Sequence, residues 1–272
     1  MMLILIAESK TMTPCAASVA VDDYRSHMPL LEPQADMIMD SLRAMSVELL
    51  AGSVKISTAM ARRLHSMIYD FPNKGAGESA VEAFTGVVFR ALDYRSLDEA
   101  ARKRCTNQVR IISSLYGLLR PDDIVKPYRF DFTTSLAPEG KTFSSYWRDK
   151  VTDIIAEELR SGGFDAILNL LPADAARCID WARIRKITPV YKADFLEPVV
   201  TQTEQGDLTD ESQRFRTPNA NRLKTLRGKL LRRILTDDSL NSASSLLTLD
   251  EPDFCAEPSL CSLESIAFLT AP

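Results

Sequence analysis

The chain has 272 residues, of which 45% are hydrophobic and 26% charged, with a formal net charge of −4. That length fits one large domain or two small ones and buries a substantial core without disulfide staples. No apolar run approaches a membrane span. Met1–Ile6 is too short for a signal-peptide core and lacks a basic start and a small-residue cleavage site, so a cytoplasmic protein is expected.

The charge is uneven. Residues 237–272 hold seven acids and no Lys or Arg, so all 33 bases meet the remaining 30 of the 37 acids in residues 1–236. The acidic total therefore does not exclude an anionic partner for the body. Five scattered cysteines (Cys15, Cys105, Cys178, Cys255, Cys261) include no C-x-x-C and read as free thiols. The two histidines, His27 and His65, form no ligand-spaced cluster, so neither a metal nor another cofactor is expected.

In chain order, Met2–Ile6 reads as a fully buried strand. It opens into Glu8-Ser9-Lys10-Thr11, where Lys10 sits at a strand's carboxyl end, a common place for ligand groups and equally a solvated loop. Prolines at 14, 29 and 33 keep 13–33 irregular. Gln34–Leu50 reads as one helix and Thr58–Tyr69 as another, with Arg62, Arg63 and His65 on its surface. A short helix starts at Ala80 and breaks at Gly86, and Ser96-Leu97-Asp98-Glu99 reads as a capping box for a helix reaching Asn107.

Val109–Phe132 is the densest stretch. It combines an apolar strand at Val109–Ile112, a small-residue turn at Ser113–Gly117, and the bases Arg110, Arg120, Lys126 and Arg129. Thr142–Ser161 is an amphipathic helix ended by Gly162-Gly163. Phe164–Leu171 is a strand containing a polar Asn169, which must hydrogen-bond if buried. Ile187–Tyr191 and Glu197–Thr203 are further strand candidates, and Gln205–Gln213 is a polar loop.

Leu223–Leu235 is the last helix. Residues 212–236 contain no acid, and Arg214–Arg233 hold eight bases. On a helical wheel Arg222, Lys229, Arg232 and Arg233 point away from the apolar stripe, whereas Arg227 falls on the inward side. An inward arginine needs a partner, either a carboxylate of this chain or an anionic ligand. In the tail from Thr236, Ser262–Leu269 supplies an edge strand. Alternating helices and apolar strands imply a single α/β (mixed α+β) domain over 1–235 with an acidic tail over 236–272.

Several blocks together resemble one known family. Leu115-Tyr116-Gly117-Leu118-Leu119-Arg120-Pro121 with Lys126-Pro127-Tyr128-Arg129 is similar to the YaaA family of peroxide-stress proteins. So are Ser9-Lys10-Thr11, the spacing of Ser53, Lys55, Arg63 and His65, and Phe84-x-Gly86-x-Val88-Phe89. Tyr146-Trp147, Asn169-Leu170 and Lys224-x-x-Arg227-Gly228 with Arg232 complete the series. Departures fall at Val87, at Pro172–Ala175 and before Lys224. The resemblance implies a compact α/β domain with a helix-hairpin-helix-like element and a basic cleft for double-stranded DNA. It also implies a role in limiting free iron and peroxide damage, with no settled reaction.

Leu115-Tyr116-Gly117 is then the candidate hairpin turn, its backbone N–H groups facing phosphates. The candidate nucleic-acid or anion-binding residues are Lys10, Lys55, Arg63, Arg110, Ser113, Gly117, Arg120, Lys126, Tyr128, Arg129, Asn169, Lys224, Arg227 and Arg232. The alternative is an enzyme pocket for a small phosphorylated or carboxylated substrate formed where Lys10, Asn169 and Arg227 converge. A monomer is expected, with the acidic tail lying over the basic surface.

Overall fold

Six consecutive residues of Met2–Ala7 (β1) are buried, and such a strand belongs inside a sheet covered on both faces. The computed structural model describes residues 1–13, 27–72, 77–199 and 215–270. Its main strands after β1 are Val109–Ser113 (β2), Gly117–Leu119 (β3), Ala166–Asn169 (β4) and Val190–Pro198 (β5), then Asp250–Glu251 (β6), Phe254–Ala256 (β7) and Ser265–Thr270 (β8). Across the sheet they run β3-β2-β1-β4-β5-β8-β7-β6. The five central strands are parallel, with Ile4 of β1 facing Val109 on one side and Leu168 on the other. Antiparallel pairs close both margins.

The flanking helices are Glu32–Leu42 (α1), Val47–Val54 (α2), Thr58–Asp70 (α3), Val87–Leu92 (α4), Glu99–Gln108 (α5), Phe143–Ser161 (α6) and Ala220–Thr236 (α7). The expected single α/β domain, an apolar sheet flanked by helices, is what the chain forms. The path runs from β1 to β2 on one side, then to β4 on the other. That reversal is a topological switch point at the carboxyl end of β1, where open α/β sheets bind ligands.

Several local expectations change. The helix expected over Gln34–Leu50 is two, because Ser46 starts a new one by accepting Leu49 N–H at 3.2 Å. The cap of α5 is Asp98, which accepts Ala101 N–H at 2.7 Å, while Ser96 turns back to Asp93. Strands expected at Ile187–Tyr191 and Glu197–Thr203 are one, β5, whose Ala193, Phe195 and Glu197 are buried while Lys192 is exposed. Residues 200–203 and the loop 205–213 lie outside the described residues. The tail strand is not at an edge: β8 sits between β5 and β7.

The turn at Leu115-Tyr116-Gly117 also differs from expectation. It joins antiparallel β2 and β3, with Ser113 facing Gly117, so this hairpin connects strands and not helices. Gly117 is buried at φ +70°, and a Cβ there would lie 2.8 Å from Leu31 and Trp147. Its glycine serves turn geometry and close packing.

A double cleft at the carboxyl edge of the sheet

β1 delivers Glu8, Ser9 and Lys10 to the switch point. Ser9 Oγ accepts the Gly86 N–H at 3.0 Å. A Cβ on Gly86 would lie 2.4 Å from Ser9 Cβ, so only glycine lets the start of α4 approach this loop. Between them opens a cavity of about 530 Å³, walled also by Phe130–Phe132, Leu170, Pro172, Asp174, and Lys224 and Arg227 of α7. A second cavity of about 410 Å³ adjoins it, lined by Ser53, Lys55, Arg129 and Thr133–Ser135. The two share Lys10, Phe130 and Asp131. Lys10 is ion-paired to Asp131 on that shared wall.

Glu8 is partly open to the larger cavity and held in a polar cluster. One carboxylate oxygen accepts the Ser114 N–H at 2.9 Å and the Tyr128 hydroxyl; the other accepts the Ser114 hydroxyl. Tyr128 Oη lies 2.6 Å from Ser113 Oγ, which accepts the Tyr116 N–H at 2.9 Å and the Leu115 N–H at 3.2 Å. Burial pushes the Glu8 carboxyl up to about 7, against the lowering pull of these donors. Burial and the Glu8 charge hold the Tyr128 hydroxyl well above its ordinary range. The arrangement therefore contains one group able to take or give a proton near neutrality.

Arg227 faces inward, as its wheel position predicts, and is only 9% exposed. Among the described residues no carboxylate lies within 4.0 Å of it, and its Nε has no hydrogen-bond partner. Desolvation lowers its pKa, with Asp174 and Asp194 opposing from farther away. Lys224 lies one turn back along the same wall, exposed. In the smaller cavity Arg129 donates to the Lys10 carbonyl at 2.9 Å, yet its Nε is likewise buried without a partner among the described residues. Each half of the cleft thus holds one arginine with unspent hydrogen-bonding capacity.

The remaining candidates divide. Lys55 lines the smaller cavity from a left-handed position (φ 55°) after α2. Ser113 and Tyr128 are buried behind Glu8 and form no open anion site of their own. Arg110 is buried against Glu158 at 2.9 Å and two backbone carbonyls, which fixes β2 to α6. Lys126 donates to the Phe71 carbonyl at 2.6 Å beneath the Phe71 ring. Arg232 donates to the carbonyls of Leu92 and Asp93 at 2.8 and 3.0 Å and ties α7 to the end of α4. Arg63 is exposed on α3 and lines neither cavity. Arg120 lies with Arg110 and Glu158 at a separate, smaller cavity. Asn169 Oδ1 accepts the Leu171 N–H at 2.9 Å and its residue lines a third cavity with Trp181 and Arg185.

In the loop that carries Glu8, the sequence pattern points only to Lys10. The available signal was a carboxylate placed directly after a strand with no polar residue in it.

A mostly parallel α/β sheet with a cationic cleft at its switch point defines the class: a mixed α/β protein with an open cleft at the carboxyl edge of its sheet. The chain belongs to the YaaA family: a family model described as peroxide stress protein YaaA matches residues 2–260. Similar curated proteins carry the name UPF0246 protein. One from Neisseria meningitidis serogroup C is 32% identical over 171 residues, covering 60% of this chain and 66% of its own length, just short of two thirds. One from Hahella chejuensis is 30% identical, covering 70% and 75%, and one from Shewanella baltica strain OS155 is 33% identical, covering 70% and 76%.

Proposed function

We propose that this peroxide-stress family member binds double-stranded DNA without sequence preference, lodging backbone phosphates along the double cleft, and so helps limit peroxide and iron damage. The observation that carries the reading is the pair of arginines, Arg129 and Arg227, one in each half, each with a buried Nε that lacks a partner among the described residues. An unpartnered buried donor costs about 1–3 kcal/mol, and a phosphate oxygen relieves that cost while satisfying the charge. Lys55 and Lys224 add charge along the same path, while Lys10 is already paired to Asp131. Phosphate contacts carry no base information, so binding is sequence-tolerant and salt-sensitive.

Fluorescence anisotropy of a labelled duplex, titrated from about 50 to about 200 mM salt, tests this. Affinity is expected to fall log-linearly. Arg129→Ala and Arg227→Ala are each expected to reduce the slope by about one. Absence of binding at the lowest salt, or two variants indistinguishable from the parent, would sink it.

A second reading is favoured by Glu8, which duplex binding does not use. A proton-exchanging carboxyl beside a cationic wall suits an enzyme acting on a small phosphorylated or carboxylated substrate.

A further inference from the structure

The two halves of the cleft differ in chemistry. The smaller half is polar around Ser53, Lys55 and Arg129. The larger combines three kinds of wall: the cations Lys224 and Arg227; an apolar side made by Val87, Val88, Leu170 and Pro172; and the carboxyl of Glu8 beside the end of β1. Its volume of about 530 Å³ lies within the range of small-molecule sites. A ligand that satisfies all three walls carries an anion at one end and a largely apolar body with hydrogen-bonding groups at the other, a combination that a nucleotide's phosphate and base provide.

We propose that the larger cavity binds one nucleoside monophosphate unit, its phosphate on Arg227 and Lys224, its base along Val87, Val88, Leu170 and Pro172, and the Glu8 carboxyl hydrogen-bonded to the base. The inference rests on the anion-binding role given to Arg227 above and adds the ligand class and the part played by Glu8. Asp174, on the same wall, carries a carboxylate suited to accept a sugar hydroxyl.

The charged and titratable groups around Glu8 come from several elements. Lys10 follows it on its own loop, paired to Asp131. Tyr128 hydrogen-bonds it, Asp174 and Cys178 follow β4, Arg90 lies on α4, and Lys224 and Arg227 on α7. Burial raises both Tyr128 and Cys178 and keeps their protons on at neutral pH. Glu8, pushed up to about 7, is then the group whose state changes. Below that pH it is a neutral donor. Above it, the donor is lost and a carboxylate shares the cavity with the phosphate, so affinity falls as pH rises.

Isothermal calorimetry of the full chain with AMP as probe tests the proposal, at about pH 6 and about pH 8. AMP is expected to bind about tenfold more weakly at the higher pH, following the neutral fraction of Glu8. Glu8→Gln keeps a donor at every pH and is expected to lose that fall. The second ionisation of the phosphate, near pH 6, then leaves at most an opposite trend. Arg227→Gln is expected to weaken AMP about tenfold at both pH values. Inorganic phosphate alone, which leaves the apolar wall unused, is expected to bind about tenfold more weakly than AMP.

A measurement on the unaltered chain guards against a misfolded variant. Titrations near pH 7 in two buffers of different ionisation heat should show net proton uptake on AMP binding. No AMP binding at millimolar concentration, equal affinity for phosphate and AMP, no proton uptake, or the parent's pH dependence in folded Glu8→Gln each overturns the proposal. Displacement of AMP by a short single-stranded oligonucleotide upholds it for a nucleotide within a strand; failure to displace upholds it for a free nucleotide. Duplex binding without AMP binding removes this inference and leaves the DNA reading, and AMP binding without duplex binding does the reverse.

Discussion

Glu8 is stabilised by three donors and yet disfavoured as an anion, because burial outweighs them. The consequence for stability has a definite sign. Its carboxyl sits at about 7 in the fold against a reference of 4.5, so the native state binds more protons between those values. The stability Glu8 contributes is fully present below the unfolded value and is lost as pH rises through the folded one. That loss amounts to at most about 3 kcal/mol. Asp123, capping the Arg120 N–H and raised to about 7 mainly by burial, acts in the same direction. Urea unfolding at about pH 5 and about pH 8 should show lower stability at the higher pH, and Glu8→Gln should remove much of the difference. Of the residues that matter here, Arg227 was legible in the sequence: helical periodicity alone put it inward, and the fold supplies no carboxylate within ion-pair reach among the described residues. Glu8 was not, because an acid after a strand is common, and only the approach of Ser114 and Tyr128, 106 and 120 residues later, makes it unusual.

At the scale of elements, α7 and α4 meet at Gly228. A Cβ at Gly228 would lie 2.3 Å from the Val88 carbonyl oxygen and 2.7 Å from Ala91 Cβ. Neither neighbour is the far end of a flexible side chain, so the helices would have to part. Gly228→Ala should therefore destabilise the protein by about 1–3 kcal/mol despite alanine's better helix propensity, read as a lowered midpoint in thermal unfolding. Arg227 and Val88 wall the same cavity, so the variant should also weaken ligand binding. Helices with strong caps and periodicity, such as α3, α6 and α7, were legible from residue pattern. The break between α1 and α2 was missed because Ser46 competes locally as a cap within a continuous apolar stripe. β5 was split because Lys192 and Asp194 interrupt its hydrophobic run, although they merely occupy its less buried positions.

Across the whole molecule, the acidic tail is structural. Asp253 pairs with Lys229, and Glu251 and Asp237 with Arg233, so two outer bases of α7 are neutralised by the tail, while Glu264 pairs with Arg185. Strand β8 fills an interior position beside β5. Removing residues 237–272 to expose the basic helix should accordingly abolish cooperative unfolding, followed by circular dichroism. The milder pair Glu251→Gln and Asp253→Asn is expected to keep the fold and to steepen the salt dependence of duplex binding if α7's outer face meets DNA. The presence of a late strand was legible from Ser262–Leu269. Its interior place was not, since pairing across more than seventy residues leaves no local trace.

That placement orders events in time. As the chain is synthesised, Lys192–Leu196 of β5 can take their β8 partner only once residues 265–270 have been made. An open edge is an invitation to wrong partners. Lys192 and Asp194, set midway along β5 and paired with each other, put charge on the strand during that interval. The sheet is therefore completed from its middle outward in space but finished last, in sequence, beside the strand that waited.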